Sequence, residues 1–433
     1  MSGAPETFDV SVRALASGGA GVADLPDGRV VFVPRTLPGE RARIRIRKER
    51  PRWAAGEMET LLEASPRRVE PPCPVYDQCG GCQLQHVPYE EQLEWKGRFV
   101  LDALTRIAGL EDVAAPVVVP SPRQLEYRSR VSFTLRRLRG GRVAAGYHGL
   151  GRPAHVVDVE ACLLAEPAVA GAWRGLRAAW GKGARLLPPG GQLRLTLRAV
   201  GSGVELLVEG GAGAWDPGRL LVAVEGLEAV WHRPEAPRGS PAELVAGTAG
   251  AGGGVAFEQV NRDAARALRA HVLDRIERLG TAPGHAVDAY CGVGVYGRAL
   301  AEAGWSVTGI ERDEAAVAAA RLDAPAGFTV VPGSVEARLE AALPADLVVV
   351  NPPRSGLESA ATERLLGRPP AHLVYVSCDP GTLARDIRRL SAWYALDDVA
   401  AFDMFPQTAH VESVVVLTRR DPAEDGQIQG ATA

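Results

Sequence analysis

"HAVDAYCGVGVYGRALAEAGWSVTGIERDE", His285 to Glu314, decides the fold of the C-terminal part of the chain. A short apolar run closes on Asp288 and Ala289, and Gly292, Gly294 and Gly297 follow in the spacing G-x-G-x-x-G. A helical pattern comes next, then a second strand-like run, "SVTGIE", ending on Glu311. Strand, glycine turn, helix and strand make the opening unit of a doubly wound sheet, because glycine lets the backbone turn sharply and approach a ligand. Working outward, "NRDAARALRAHVLDRIERL" reads as a preceding helix, and "ADLVVVN" and "LVYVS" as later buried strands. The alternation persists to about residue 419 and predicts an α/β fold with a largely parallel, Rossmann-like sheet.

The glycine loop alone is compatible with a dinucleotide. Asp288 stands four residues before Gly292, however, and an acidic group beside a pyrophosphate would be repelled. The same carboxylate suits a ligand with an ammonium or sulfonium group and no phosphate, which favours S-adenosylmethionine over a nicotinamide dinucleotide. Glu311 is placed to accept hydrogen bonds from ribose hydroxyls. Asn351, Pro352 and Pro353 end a buried strand where such sheets hold their ligands. Asn-Pro-Pro before an aromatic residue marks methylation of exocyclic amines, but here Arg354 follows.

Upstream the texture differs. Residues 1–62 hold short strands broken by "SGGAGVADLPDGR" and "PRTLPGE", the pattern of a small all-β barrel. Residues 63–250 are expected to form a central α+β domain with a cysteine cluster, the helix "PYEEQLEWKGRFVLDALTRI" and strands separated by glycine turns. The segment "AGTAGAGGG" reads as a flexible linker to the domain at 251–420, and residues 421–433 as a disordered tail. The net charge of -3 conceals two basic stretches. In "RARIRIRKERPR", Arg41 to Arg52, arginines alternate with Ala42, Ile44 and Ile46. A second runs from Arg123 to Arg142 and contains Tyr127 and Phe133. Basic stripes with interleaved aromatics suit a nucleic-acid backbone and stacked bases, so RNA is the expected partner. The N-terminus lacks the regions of a signal peptide and no long apolar run appears, so a cytoplasmic location without a membrane partner is expected, and a monomer.

"LVYVSCDPGTLARDIRRL", Leu373 to Leu390, sets Cys378 between a buried strand and a helix. A thiol at a helix N-terminus ionises more easily, and the thiolate is the nucleophile. In "AFDMFPQTAHVESVVVL", Glu412 stands just before the last apolar strand. Together with a methyl donor, this cysteine and this carboxylate fit one chemistry. Carbon 5 of uracil is a poor nucleophile until a thiolate adds to carbon 6, and a base must then remove the proton from carbon 5. Cys378 is the expected nucleophile and Glu412 the expected base. In "CPVYDQCGGC", Cys73, Cys79 and Cys82 form a C-x5-C-x2-C array, a metal-site spacing with Cys162 as the candidate fourth ligand. Spacing alone leaves zinc and an iron–sulfur cluster open. Cys291 is read as packing.

"FEQVN", "DAYCGVGVYG", "NPPRSGL", "VSCDPGTLARD" and "FPQTAHVES" occur in the order found in the RNA 5-methyluridine methyltransferase family, and the chain resembles that family over nearly its whole length. The resemblance implies a class I methyltransferase domain acting on rRNA or tRNA, and an N-terminal TRAM domain of the OB-fold type. It implies that Cys378 attacks and Glu412 accepts the proton, and that Gln259, Tyr290 and Glu311 contact the cofactor. It also implies a 4Fe-4S cluster on the cysteine array, structural or RNA-orienting. Two positions depart: Asn351 stands where the family usually has Asp, and Val295 where an asparagine often follows the glycine loop. The rival readings are a base N-methyltransferase and a catalytically silent iron–sulfur RNA-binding protein.

Overall fold

The computed structural model describes residues 6–235, 241–250 and 259–420. Between Thr7 and Glu63 lie β1 (Thr7–Ser11), β2 (Ala14–Leu15), β3 (Gly21–Asp24), β4 (Val30–Val33), β5 (Arg41–Glu49) and β6 (Trp53–Glu63). They form one sheet in the order β1-β5-β6-β4-β3-β2. Ala42 and Ile44 of β5 turn inward and join Val10, Ala23, Val31, Val33 and Ala54 in a single buried cluster, so the sheet curls around one core. The outward arginines are all engaged: Arg41 pairs with Glu63, Arg43 with Asp9, Arg45 with Glu59 and Arg47 with Glu57. The basic stripe is also a ladder of cross-strand ion pairs, because β6 carries acidic residues in matching alternation and β1 contributes Asp9.

The cysteine-bearing segment leads into α1 (Tyr89–Ala103), prolonged by a π-turn, Leu104–Ala108, that Gly109 ends in the left-handed region. A two-residue strand, β7 (Val118–Val119), follows. Val100, Ala103, Leu104, Ala108 and Val118 are buried in the core of the C-terminal sheet, although the sequence reading placed them in the central domain.

The central strands are β8 (Arg130–Arg137), β9 (Val143–Gly146), β10 (His148–Gly149) and β11 (Arg152–Val156). After α2 (Pro167–Ala179) come β12 (Gln192–Val200) and β13 (Gly203–Glu209), then α3 (Pro217–Ala223), β14 (Leu227–Arg233) and β15 (Glu243–Gly247). Six of these strands make a sheet ordered β15-β14-β13-β12-β8-β9, and β10 pairs with β11. One face packs with Trp173 and Leu176 of α2 and Leu220 of α3. Phe133 lies in that core, stacked on Trp173 at 4.1 Å, and Tyr127 and Phe133 are each 1% exposed. Neither ring can stack on a base, contrary to the sequence expectation: β8 alternates, and its aromatic sits on the inward phase. The expected linker also begins later than predicted, since Ala246 and Gly247 finish β15 opposite Val230 and Ala229. The rest of it from residue 251, and the expected tail, lie outside the described residues.

The C-terminal part opens with α4 (Arg262–Arg278), capped by Asn261, whose side chain accepts from the Ala264 amide. Strands and helices then alternate: β16 (His285–Ala289), α5 (Val295–Glu302), β17 (Ser306–Glu311), α6 (Glu314–Arg321), β18 (Phe328–Pro332), α7 (Val335–Ala342), β19 (Leu347–Val350), α8 (Ser359–Gly367), β20 (His372–Ser377) and α9 (Pro380–Leu390). A last pair, β21 (Tyr394–Phe402) and β22 (Glu412–Arg419), completes the sheet. Its order is β18-β17-β16-β19-β20-β22-β21-β7, parallel except for β22, which runs against both neighbours. That reversal brings the start of β22 to the carboxyl end of β20, the side on which an open parallel sheet holds its ligand. No described helix is long and apolar enough to cross a membrane.

The loop Asp403–Val411 delivers β22, and the N-terminal half holds it. Lys96 of α1 donates to Asp403 at 2.5 Å, with both side chains fully buried, and also to the Phe405 carbonyl at 3.1 Å. Gln92 and Gln407 exchange two hydrogen bonds of 3.0 Å, and the Gln407 carbonyl accepts from the amides of Gln83 and Leu84. Gln407 sits at φ +68°, a left-handed conformation that a side chain adopts only when its surroundings enforce it.

Candidate active site

Ser377, at the end of β20, pairs with Ser413 of β22; Cys378 follows the one and Glu412 precedes the other, and the Glu412 charge acts on the Cys378 thiol. Asp379 caps α9 by accepting from the Thr382 amide at 2.9 Å, which leaves the half-buried Cys378 in the bend between strand and helix. The expected easy ionisation of this thiol is reversed. Burial pushes it up, as do the charges of Glu412 and Asp379, against a weaker pull from Arg354. Glu412 is 2% exposed, a buried group and no solvated rim charge, and burial pushes its carboxyl up to about 7 while Arg354 opposes. Arg354 thus acts on both groups, and its charge together with burial also holds His410 down to about 4 although that ring reaches solvent. The sequence reading gave Arg354 no role. The signal was present in its place directly after Asn351-Pro352-Pro353, but its direction toward Cys378 depends on the fold.

Arg354→Ala removes the cation that lowers both groups. Its pH–rate profile is expected to move to the alkaline side, with activity at pH 7 falling roughly tenfold and recovering in part at higher pH. Initial rates measured across the pH range check this, and a profile unchanged in position would contradict it.

On the other side of the strand ends lies the glycine loop. Asp288 is fully buried; its Oδ2 accepts from the Gly297 amide at 2.7 Å and its Oδ1 has no partner among the described residues. Burial pushes its carboxyl up to about 7, and the like charge of Glu311 adds to the push. Glu311 accepts from the Gly292 amide at 3.0 Å and from the amides of Arg312 and Asp313 at 2.8 Å each. Tyr290 sits at φ +61° and donates its hydroxyl to Glu336 at 2.8 Å. The three glycines serve different ends. A Cβ on Gly292, at φ +55°, would meet open space, whereas one on Gly294 or Gly297 would run into the Phe328 ring. Gly292 borders open space, while Gly294 and Gly297 are also required by packing of the loop and α5 on β18. Cys291 is buried and its thiol is pushed up by burial, in line with a packing role.

Asn351 is half-buried just past β19, where its amide donates to the Ala289 carbonyl at 3.3 Å, between the Asp288–Tyr290 segment and Arg354. Gln259 is half-buried immediately before α4, while Phe257 and Glu258 lie outside the described residues. Val295 is 41% exposed at the first position of α5. Seven candidate residues, Cys378, Glu412, Asp288, Tyr290, Gly292, Glu311 and Asn351, therefore gather along the carboxyl ends of β16, β17, β19 and β20.

Cys73, Cys79 and Cys82 lie elsewhere, their thiols raised chiefly by burial, and the charge of Cys162 reaches each of them. Arg35 binds the segment from below, donating to the carbonyls of Tyr76, Cys79 and Cys82 at 2.6 to 2.7 Å. Among the described residues no three His, Cys, Asp or Glu side chains are close enough to hold a single metal ion.

Residues 339–420 match the family described as tRNA (Uracil-5-)-methyltransferase, and residues 5–58 match the TRAM domain. An uncharacterized RNA methyltransferase of Gloeobacter violaceus is 34% identical, covering 96% of this chain and 97% of its own. The 23S rRNA (uracil(1939)-C(5))-methyltransferase RlmD of Chromohalobacter salexigens is 33% identical, covering 95% of this chain and 90% of its own. Among solved structures, Pyrococcus abyssi tRNA (uracil-54, C5)-methyltransferase in complex with S-adenosyl-L-homocysteine superposes with a TM-score of 0.69 at 24% identity. It covers 95% of this chain and 100% of its own, and the likeness shows a shared fold.

Proposed function

The chain belongs to the RNA (uracil-5-)-methyltransferase family, and from that premise we propose that it methylates a uridine of structured rRNA or tRNA through a covalent bond between Cys378 and carbon 6 of the base. The observation that carries the covalent route is that the paired ends of β20 and β22, Ser377 and Ser413, bring the adjoining Cys378 and Glu412 within electrostatic reach of each other. Neither an amine acceptor nor a ribose hydroxyl needs that thiol.

The Cys378 thiol gives its proton to solvent, the thiolate bonds to carbon 6, and the carbon 5–carbon 6 π pair moves into the ring to form an enolate with electron density on carbon 5. S-adenosylmethionine, when bound, supplies an electrophilic methyl group. The residues that would hold it suit a cation. Asp288 and Glu311 crowd two carboxylates beside open space over Gly292, and Asp288 Oδ1 is a buried acceptor without a donor among the described residues. A positively charged ligand relieves both conditions. Tyr290, Gly294, Asn351 and Gln259 border the same volume in our assignment. Once carbon 5 is methylated, Glu412 takes its remaining proton, the C–H electron pair restores the ring double bond, and Cys378 leaves as thiolate. A carboxyl raised to about 7 by burial is a better base than a solvated one. The target uridine must leave its stack to reach this site.

We also assign a 4Fe-4S cluster to Cys73, Cys79, Cys82 and Cys162. The support for it is the C-x5-C-x2-C spacing of the first three thiols. When bound, the cluster would tie residue 162 to the segment that grips Gln407.

The reading is tested by incubating the protein with methyl-labelled S-adenosylmethionine and RNA from cells that lack it. Nucleoside analysis is expected to show the label in 5-methyluridine alone. Label in an N-methylated base would favour the amine chemistry of Asn351-Pro352-Pro353, and RNA binding without transfer would favour a silent binding protein.

A further inference from the structure

With Tyr127 and Phe133 in the core, an aromatic ring on the opposite, polar face of the central sheet is Trp231 of β14, which is half-buried. It borders a cavity of about 270 Å³ formed over β8, β12, β13 and β14. Four arginines line this cavity, Arg194 and Arg233 among them, against two glutamates, Glu205 and Glu209. The N-terminal ladder balances each outward arginine from Arg41 to Arg47 with its own carboxylate; here Arg194 and Arg233 share Glu209, at 3.5 Å and 2.8 Å, and the Arg194 side chain is 64% exposed. The hydroxyls of Ser132 and Thr196 meet on the cavity floor at 2.7 Å. Trp231 Nε1 and Arg233 Nε are buried donors with no acceptor among the described residues.

Cationic, rich in donors and floored by hydroxyls beside an indole, the cavity calls for an occupant that is planar, anionic and rich in acceptors. We propose that it binds one nucleotide of single-stranded RNA flanking the target uridine, with the base against Trp231 and the phosphate on Arg194 and Arg233. The site rests on the reading of the substrate as RNA and adds to it a contact outside the catalytic centre. Its position suits a strand leaving that centre. Arg130 and Arg198 pair across β8 and β12 at one end of the cavity, and the adjoining Ser129 amide donates to the Val260 carbonyl at 2.8 Å. Asn261, next in the chain, donates to the Met404 carbonyl at 3.3 Å, in the loop that leads to Glu412.

The test uses the full chain and a short single-stranded oligouridylate. Trp231→Ala is expected to weaken binding about tenfold, and Trp231→Phe to stay within about threefold of the parent, because a base stacks on either ring. Arg194→Ala is expected to lower the salt dependence of binding by about one phosphate contact. Ultraviolet crosslinking to the unaltered protein, followed by peptide mapping, does not depend on a variant folding: a crosslink on the β14 peptide supports the site. Crosslinks confined to other peptides, or unchanged affinity in folded Trp231→Ala, overturn it. Should the β14 crosslink form while no RNA becomes methylated, the proposed function fails and this site stands.

Discussion

Cys378→Ala is expected to lower 5-methyluridine formation by at least about 10⁴-fold, because an enzyme that loses its nucleophile keeps only binding and orientation. The residue is half-buried at a strand end, so removing its sulfur opens little space and leaves the β20–β22 register intact. RNA affinity and S-adenosylhomocysteine affinity should therefore stay near those of the parent. The same substitution should abolish the covalent complex formed with RNA carrying 5-fluorouridine. In that substrate fluorine replaces the proton that Glu412 must take, so the parent enzyme stays bonded to the base. The two readouts, methyl transfer in solution and a shifted band on a denaturing gel, should disappear together. Methylation at a normal rate by the alanine variant would remove the covalent route.

Glu412→Gln is expected to produce the opposite signature, slow turnover with an accumulated adduct on ordinary RNA. The amide is close in size to the carboxylic acid but cannot take the carbon 5 proton, so the methylated base stays attached to Cys378. A turnover loss of roughly 10²- to 10⁴-fold follows from removing a general base. Stability should move the other way. In the unfolded chain the carboxyl ionises near 4.5, and in the folded chain burial raises it to about 7. As pH rises between those values the unfolded state gives up its proton first, so stability falls, and the loss is complete above the folded value. The difference corresponds to about 3 kcal/mol at alkaline pH. Glutamine carries no such penalty, so the variant should melt higher than the parent at pH 8 and much closer to it at pH 4. Equal melting temperatures at pH 8 would show that Glu412 is not held in a low-dielectric place. A variant that turns over slowly without building up adduct would assign proton removal to another group.

How much of this was legible in the sequence depended on whether a feature was local. The glycine turn, "SVTGIE" and the strand-to-helix boundary at Cys378 were readable because strand, turn and helix signals sit within a few residues of one another. Cys378 and Glu412 were identified by residue type and motif, and their facing positions follow from one reversed strand that periodicity cannot orient. The basic stretches pointed to RNA, but the ion pairs of the first were not legible, because charge along a strand says nothing about its neighbour: β6 carries acids in the same phase as the arginines of β5. Tyr127 and Phe133 fell on the inward phase for a related reason, since alternation marks two faces without saying which one meets α2. The sequence shows the helix end beside Cys378 but neither the burial that chiefly raises its thiol nor the charge of Glu412, 34 residues on.

The stitching of the Asp403–Val411 loop to Gln83, Leu84, Gln92 and Lys96 carries a consequence for how the molecule can be divided. The catalytic half is no autonomous module to be cut free at the glycine-rich junction. A fragment starting there would strand Asp403 as a bare charge in its own interior and strip the sheet of the cover that α1 provides. The segment after the cysteines is thereby fastened, through two amide side chains and one buried cation, to the loop that precedes Glu412.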